Sequence, residues 1–186
     1  MTAPRGLRAD ARRNRERVLE AAESVFGEQG ASASTEEVAR RAGVGIGTVF
    51  RHFPTKEALY EAIVVRRLTR LVAEAPAGSD DPRVAFEAFF TRLVEEAAAK
   101  KAFADTMAVL SLDVKATAPA VGEEIRRMIG ALLEAAQTAG ALREDVALPE
   151  IMVLLAGACL AAEHTPDPAL RKKSLALLFD GLRAGQ

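Results

Sequence analysis

In 43-GVGIGTVFRHFPTKEAL-59, three glycines fall within five positions and are followed by Phe50, Arg51, His52, Phe53 and Lys56. Glycine clears side-chain bulk where a backbone must approach a ligand, and Arg, His and Lys supply cationic donors. The chemistry suited to this combination is phosphate binding, and the phosphate belongs either to a nucleotide or to a nucleic acid. A dinucleotide fingerprint requires G-x-G-x-x-G behind a strand. Counted from Gly43, its last position is Thr48. A P-loop pattern occurs nowhere in the chain. The preceding 35-TEEVARRAG-43 is charged and built from helix formers, which leaves no strand to carry a nucleotide loop. The nucleotide reading therefore fails on spacing and on context.

Catalysis fares no better. His52 and His164 are the two histidines and Cys159 the single cysteine, and neither G-x-S-x-G nor H-E-x-x-H occurs. Cys159 lies in an apolar run and reads as buried and inert. His52 has no ligand partner at i+4 and reads as a phosphate donor instead of a metal ligand. The expectation is a protein that is not an enzyme, with no metal and no cofactor.

The elements that must position these residues are helical. Of 186 residues, 49% are apolar and 27% charged, with no Trp, one Tyr and abundant Ala, Leu, Glu and Arg, which predicts an all-α fold. A lone cysteine supplies no disulfide framework, residues 1–17 are Arg-rich without an apolar signal segment, and 151-IMVLLAGACLAA-162 is too short to span a bilayer. These features predict a soluble cytoplasmic protein with no membrane partner.

Charge is unevenly placed. Residues 1–56 hold ten Lys+Arg against seven Asp+Glu, a balance of +3, whereas residues 57–186 hold fifteen against nineteen, a balance of −4. A basic end on an acidic body suits docking to a polyanion by that end. Residues 1–9 taken alone read equally well as a solvated tail.

Apolar spacing and prolines divide the chain into about nine helices. The first covers 10–29, with Val18, Leu19, Ala22, Val25 and Phe26 on one face and Gly30 as its cap. A capping box, 34-STEE-37, starts a short helix that ends near Ala42. A second short helix runs from about Ile46 to His52. Pro54 breaks it, and Thr55 caps a long helix bearing Leu59, Ile63, Val64, Leu68 and Leu71. After the loop 75-APAGSDDP-82, helices are expected from Pro82, over 102–115, from Pro119 to Gly140, from Pro149 to Glu163, and from Pro168 to Arg183.

Two short helices joined through Ala42-Gly43-Val44 and backed by a long first helix form a helix-turn-helix. On that reading Gly43 permits the turn, and Gly45 and Gly47 keep bulk away from duplex DNA. At 18-VLEAAESVFGEQGASAST-35 and 38-VARRAGVGIGTVFRHFPTKEALYEAI-63 the chain resembles the TetR/AcrR family of bacterial transcriptional repressors. The resemblance covers about residues 12–65. It implies a DNA-binding domain over 1–54, arm included, and a helical effector-binding and dimerisation domain over 55–186. By position, Gly45, Ile46, Gly47 and Thr48 would face base edges or nearby phosphates. Phe50, Arg51, His52 and Lys56 would contact the backbone, and Thr35 would begin the helix that meets the flanking phosphate. Position 50 is Phe where the family more often carries Tyr, and position 45 is Gly in place of a side-chain cap.

The implied function is a sequence-specific repressor, located at the bacterial nucleoid when bound, that leaves a palindromic operator when a small molecule binds. Residues 149–183 are expected to form the homodimer interface, because an apolar run on every helix face must be buried all round. Phe and Met residues on the middle helices suggest a largely apolar or weakly cationic effector, with Phe89, Phe90, Phe103 and Met107 among the pocket walls. The competing reading is an architectural DNA-binding dimer without ligand control.

Overall fold

The computed structural model describes residues 5–75, 80–104 and 118–185, and among them finds eight α-helices, one 3₁₀ turn and no strand. The helices are α1 (Arg5–Gln29), α2 (Thr35–Ala42), α3 (Ile46–His52), α4 (Lys56–Ala73), α5 (Pro82–Ala104), α6 (Pro119–Thr138), α7 (Leu148–Glu163) and α8 (Pro168–Leu182). The fold is all-α, as expected. No helix among the described residues is long and apolar enough to cross a membrane.

The chain forms two compact units, Met1–Arg66 and Arg67–Gln186. This division falls within α4, beyond the boundary expected at residues 54 and 55. The reason is packing: Leu59, Tyr60 and Ile63 on the first turns of α4 are buried with the N-terminal helices. Tyr60 faces Phe26 of α1, their ring centroids 6.2 Å apart.

In the first unit, α1 buries Val18, Ala22, Val25 and Phe26, which recur at i, i+4, i+7 and i+8 and so form one stripe. The helix begins at Arg5 instead of residue 10. Apart from Gly6, residues 5–9 are good helix formers, and an Asp10–Arg13 ion pair spans the turn that follows. Gly30 (φ 57) ends α1 by tightening the chain into the turn Gly30–Ser32. The Ser34 hydroxyl accepts from the Glu37 amide at 3.1 Å, making the first half of the expected capping box. The reciprocal half is replaced: the Glu37 carboxylate accepts two bonds from Arg40, at 2.8 and 2.6 Å. A charge-assisted bidentate pair outcompetes a neutral amide for that carboxylate.

The second unit is built around α5, which packs along α6 and α7. Phe86, Phe89, Phe90, Leu93 and Val94 are buried on it, together with Ile129 and Leu133 of α6, Ile151 and Leu155 of α7, and Leu175 and Phe179 of α8. Phe90 meets Phe179 edge-on at 5.5 Å and lies 6.0 Å from Phe86. The Arg171 guanidinium ties α8 to α5 through Glu95, at 2.6 and 3.1 Å. The separate helix expected from 102 does not start there, because α5 runs on to Ala104. The sequence 95-EEAAAKKAFA-104 contains nothing that breaks a helix. The remainder of that expected helix, Met107 included, lies outside the described residues.

Within the single subunit, the last two helices bury one face each. Ile151, Leu155 and Ala162 of α7 turn inward, while Val153 is 71% exposed and Leu160 59%. On α8, Leu175, Phe179 and Leu182 are buried and Leu177 is 66% exposed.

Candidate nucleic-acid interface

The turn between α2 and α3 is set by two glycines with different tasks. Gly43 ends α2 at φ 64, ψ 39, a left-handed conformation that L-residues adopt at a cost. Gly45 stands at the N-cap of α3 in ordinary extended geometry, and its carbonyl accepts from the Thr48 amide at 2.8 Å. A Cβ added at Gly45 or at Gly47 would meet nothing within 4 Å. Internal packing therefore does not demand glycine at either position, and its effect is to leave the outer surface of the turn bare.

α3 has two faces. Val49 is fully buried, and Phe53, which follows the helix in an extended conformation before Pro54, is buried as well. The outward face carries Gly45, Ile46, Gly47, Phe50 and Arg51, with Thr48 and His52 half-buried at its margins. Phe50 is 43% exposed and Ile46 38%. The His52 ring lies 6.3 Å from that of Phe53.

Thr55 caps α4 as expected, its hydroxyl accepting from the Ala58 amide at 3.1 Å. Lys56 is half-buried, and its Nζ sits 5.6 Å from the Phe26 ring centroid, a cation–π distance. Thr35 is the first residue of α2 and half-buried.

Several positioning residues escaped the sequence reading. Arg17 of α1 donates to the Ala42 carbonyl at 2.6 Å and to the Gly43 carbonyl at 3.5 Å. It thereby satisfies the free carbonyls at the C-terminus of α2 and clamps the turn from outside. Arg15 places its guanidinium 5.1 Å from the Phe53 ring centroid. Arg41 joins α2 to α1 through Ser24 at 2.8 Å and Glu28 at 2.6 Å. The Arg41 hydrogen bond, aided by Ser24, holds the Glu28 carboxyl below its ordinary value. Arg40 does the same for Glu37. A signal for these contacts was present: Arg17, Ser24 and Glu28 are polar residues on one helical stripe of α1, interrupted by Ala21.

In the second unit Phe89 and Phe90 are wholly buried in the aromatic core. Four surface hollows are lined by other residues. One of about 610 Å³ lies between α7 and α8 at Pro149, Val153, Leu154 and Leu177, and another of about 460 Å³ adjoins it at Gly157, Ala161 and Leu178. A third, of about 670 Å³, runs between α5 and α8 past Thr91 and Phe179. The fourth, of about 340 Å³, joins the end of α4 to α6 at Val72, Val121 and Met128. The side chain of Phe103 and all of Met107 lie outside the described residues. Among the described residues no group of three His, Cys, Asp or Glu side chains could hold a metal ion.

Residues 18–63 match the family model described as bacterial regulatory proteins, tetR family, and residues 81–184 match that of the transcriptional regulator SbtR-like C-terminal domain. The chain is similar over 95% of its length to the TetR transcription regulatory protein from Mycobacterium vanbaalenii, with 38% identity, 99% of that chain covered and a TM-score of 0.67. Similarity to the TetR regulator SCO0520 from Streptomyces coelicolor covers 92% of this chain and 99% of the other, at 34% identity and a TM-score of 0.67. An HTH-type transcriptional regulator of Staphylococcus aureus strain USA300 is 34% identical over 76 residues, which are 40% of this chain and 41% of that protein. The chain thus spans about two fifths of the length of the curated relatives it matches.

Proposed function

The chain belongs to the TetR family of bacterial transcriptional regulators, which are DNA-binding factors and not enzymes, and from that premise we propose a homodimeric repressor released from a palindromic operator by a small molecule. The observation that carries this reading is the outward face of α3. Val49 anchors the helix while Ile46, Phe50 and Arg51 stand in solvent beside two glycines that no internal contact requires. Such a face suits entry into a major groove, with Arg51, His52, Lys56 and Thr35 at the flanking phosphates.

The dimer is proposed to form through α7 and α8. Val153, Leu160 and Leu177 offer exposed apolar surface, and a Cβ at Gly157 would meet nothing within 4 Å, which leaves room for a partner helix. Two helices from each subunit would make a four-helix bundle about a two-fold axis.

The effector is proposed to be largely apolar or weakly cationic, with Phe89, Phe90, Phe103 and Met107 in its surroundings. Ligand would favour a spacing of the two recognition helices that no longer matches grooves about 34 Å apart. Coupling of this kind is reciprocal, so operator DNA must weaken ligand binding by the same factor as ligand weakens operator binding.

The test is a salt titration of binding to duplex DNA from the region flanking the gene, against random duplex of equal length. Tighter binding to the flanking DNA is expected, with a slope of about −0.9 per phosphate neutralised. Arg51→Ala and Lys56→Ala should each weaken both duplexes alike and flatten the slope by about two per dimer. Equal affinity for the two duplexes would favour the architectural reading, and an unchanged slope would remove the residue from the phosphate contacts.

A further inference from the structure

The side chains that α3 can present to base edges are few. Gly45 and Gly47 have none, Val49 is buried, and α3 contains no Asn, Gln, Asp, Glu or Lys. The bidentate amide that reads adenine and the carboxylate that reads cytosine are therefore missing from this helix. Apart from Arg51, assigned above to the flanking phosphate, the large side chains that stand outward are apolar: Ile46 at 38% exposure and Phe50 at 43%, four residues apart on one face. Phe50 has no hydroxyl with which to bond a phosphate, so the resemblance-based role of a backbone contact does not use this ring.

The apolar feature of a base edge in the major groove is the C5-methyl of a pyrimidine, which in unmodified DNA is thymine. Four residues of helix rise about 6 Å, close to two base-pair steps of about 3.4 Å each. We propose that Ile46 and Phe50 read thymine methyl groups about two base pairs apart in each half-site, so that operator choice rests on methyl contact more than on base hydrogen bonding. This rests on the reading of α3 as the recognition helix.

The experiment begins with selection of a preferred duplex from a random-core synthetic library, which contains no 5-methylcytosine, using the purified full chain. Each thymine of that duplex is then replaced by deoxyuridine, which removes the methyl and keeps the base pair, and affinities are compared at one salt concentration. Uracil at one or two positions per half-site should weaken binding roughly threefold to fourfold per methyl, the effect of losing one buried apolar carbon. Substituting one methyl in both half-sites should weaken it about tenfold. Ile46→Ala and Phe50→Ala should each bind the thymine duplex less tightly and lose their response to uracil at one position, which assigns side chain to methyl. The uracil series uses the unaltered chain, so it stands whether or not a variant folds.

Uracil that is neutral at every position overturns the methyl reading and leaves sequence-specific DNA binding intact. Variants that keep the full uracil penalty overturn the assignment to these two residues. A library with no preferred sequence overturns this inference and the proposed function together.

Discussion

Replacing Gly43 by alanine perturbs the turn that aims α3, and its cost can be worked from the geometry. At φ 64 an L-residue pays roughly 1–2 kcal/mol for left-handed backbone. The new Cβ would also lie 2.8 Å from Arg17 Nη2, closer than such atoms approach. Arg17 is exposed and flexible, so it would move aside and give up its 2.6 Å bond to the Ala42 carbonyl. A bond of that kind at the surface is worth about 0.5–1.5 kcal/mol. The two contributions together come to roughly 2–3 kcal/mol of the stability of the N-terminal unit.

The chain supplies its own probe for that unit. It has no Trp and one Tyr, and Tyr60 is buried against Phe26 within the unit. Urea titration followed by tyrosine fluorescence should show the Gly43→Ala midpoint well below that of the parent chain, with little change in slope. In an Arg17→Ala background the same substitution should cost only the backbone part, a coupling of about 1 kcal/mol. Overlapping curves for Gly43→Ala and parent would refute the strain argument. Equal costs in the two backgrounds would refute the clash.

Two further outcomes follow from the packing and the charges. Leu160→Glu or Leu177→Glu places a charge on the exposed apolar face of α7 or α8 and should lower the light-scattering mass from twice 19.8 kDa to that of one subunit; a parent chain already at the single-subunit mass would remove the dimer. The Glu28 and Glu37 carboxyls are both held below 4.5 by arginine hydrogen bonds. Their contribution is thus present above pH 4.5 and lost as pH falls below it through the folded values. Glu28→Gln should flatten the acid limb of the Tyr60-monitored stability, and an unchanged limb below pH 4.5 would show that the Arg41 bond carries no linkage.

Helix positions were legible because their signals are local. Pro82, Pro119 and Pro168 each stand as the first residue of a helix, and Gly30, Gly43 and Gly140 each take positive φ where a helix ends or turns. The capping of Thr55 and the stripe of α1 were equally plain. Where the reading missed, a competing interaction decided. Glu37 had two suitors, its own N-cap amide and Arg40, and a sequence does not rank them. A new helix was expected from 102, yet α5 runs on to Ala104, because Lys100 and Lys101 interrupt the apolar pattern without interrupting helix propensity.

The faces of helices were less legible than their ends, and the site shows why. α7 is apolar around its whole circumference, so periodicity could not separate Ile151 and Leu155, which meet α5's side of the unit, from Val153 and Leu160, which meet solvent. The charge count over residues 1–56 had the same weakness. Ten cations there read as a basic end suited to docking a polyanion, yet Arg17 clamps the turn, Arg40 holds Glu37, Arg41 ties α1 to α2 and Arg13 pairs with Asp10. Arg17 and Arg41 are committed to internal partners that fix the position from which α3 projects, and on the proposed function they would serve DNA only indirectly. On the proposed function, that division would let a domain with a modest positive balance present a defined face: the rigidity comes from its paired arginines, and reading is left to the exposed side chains of α3.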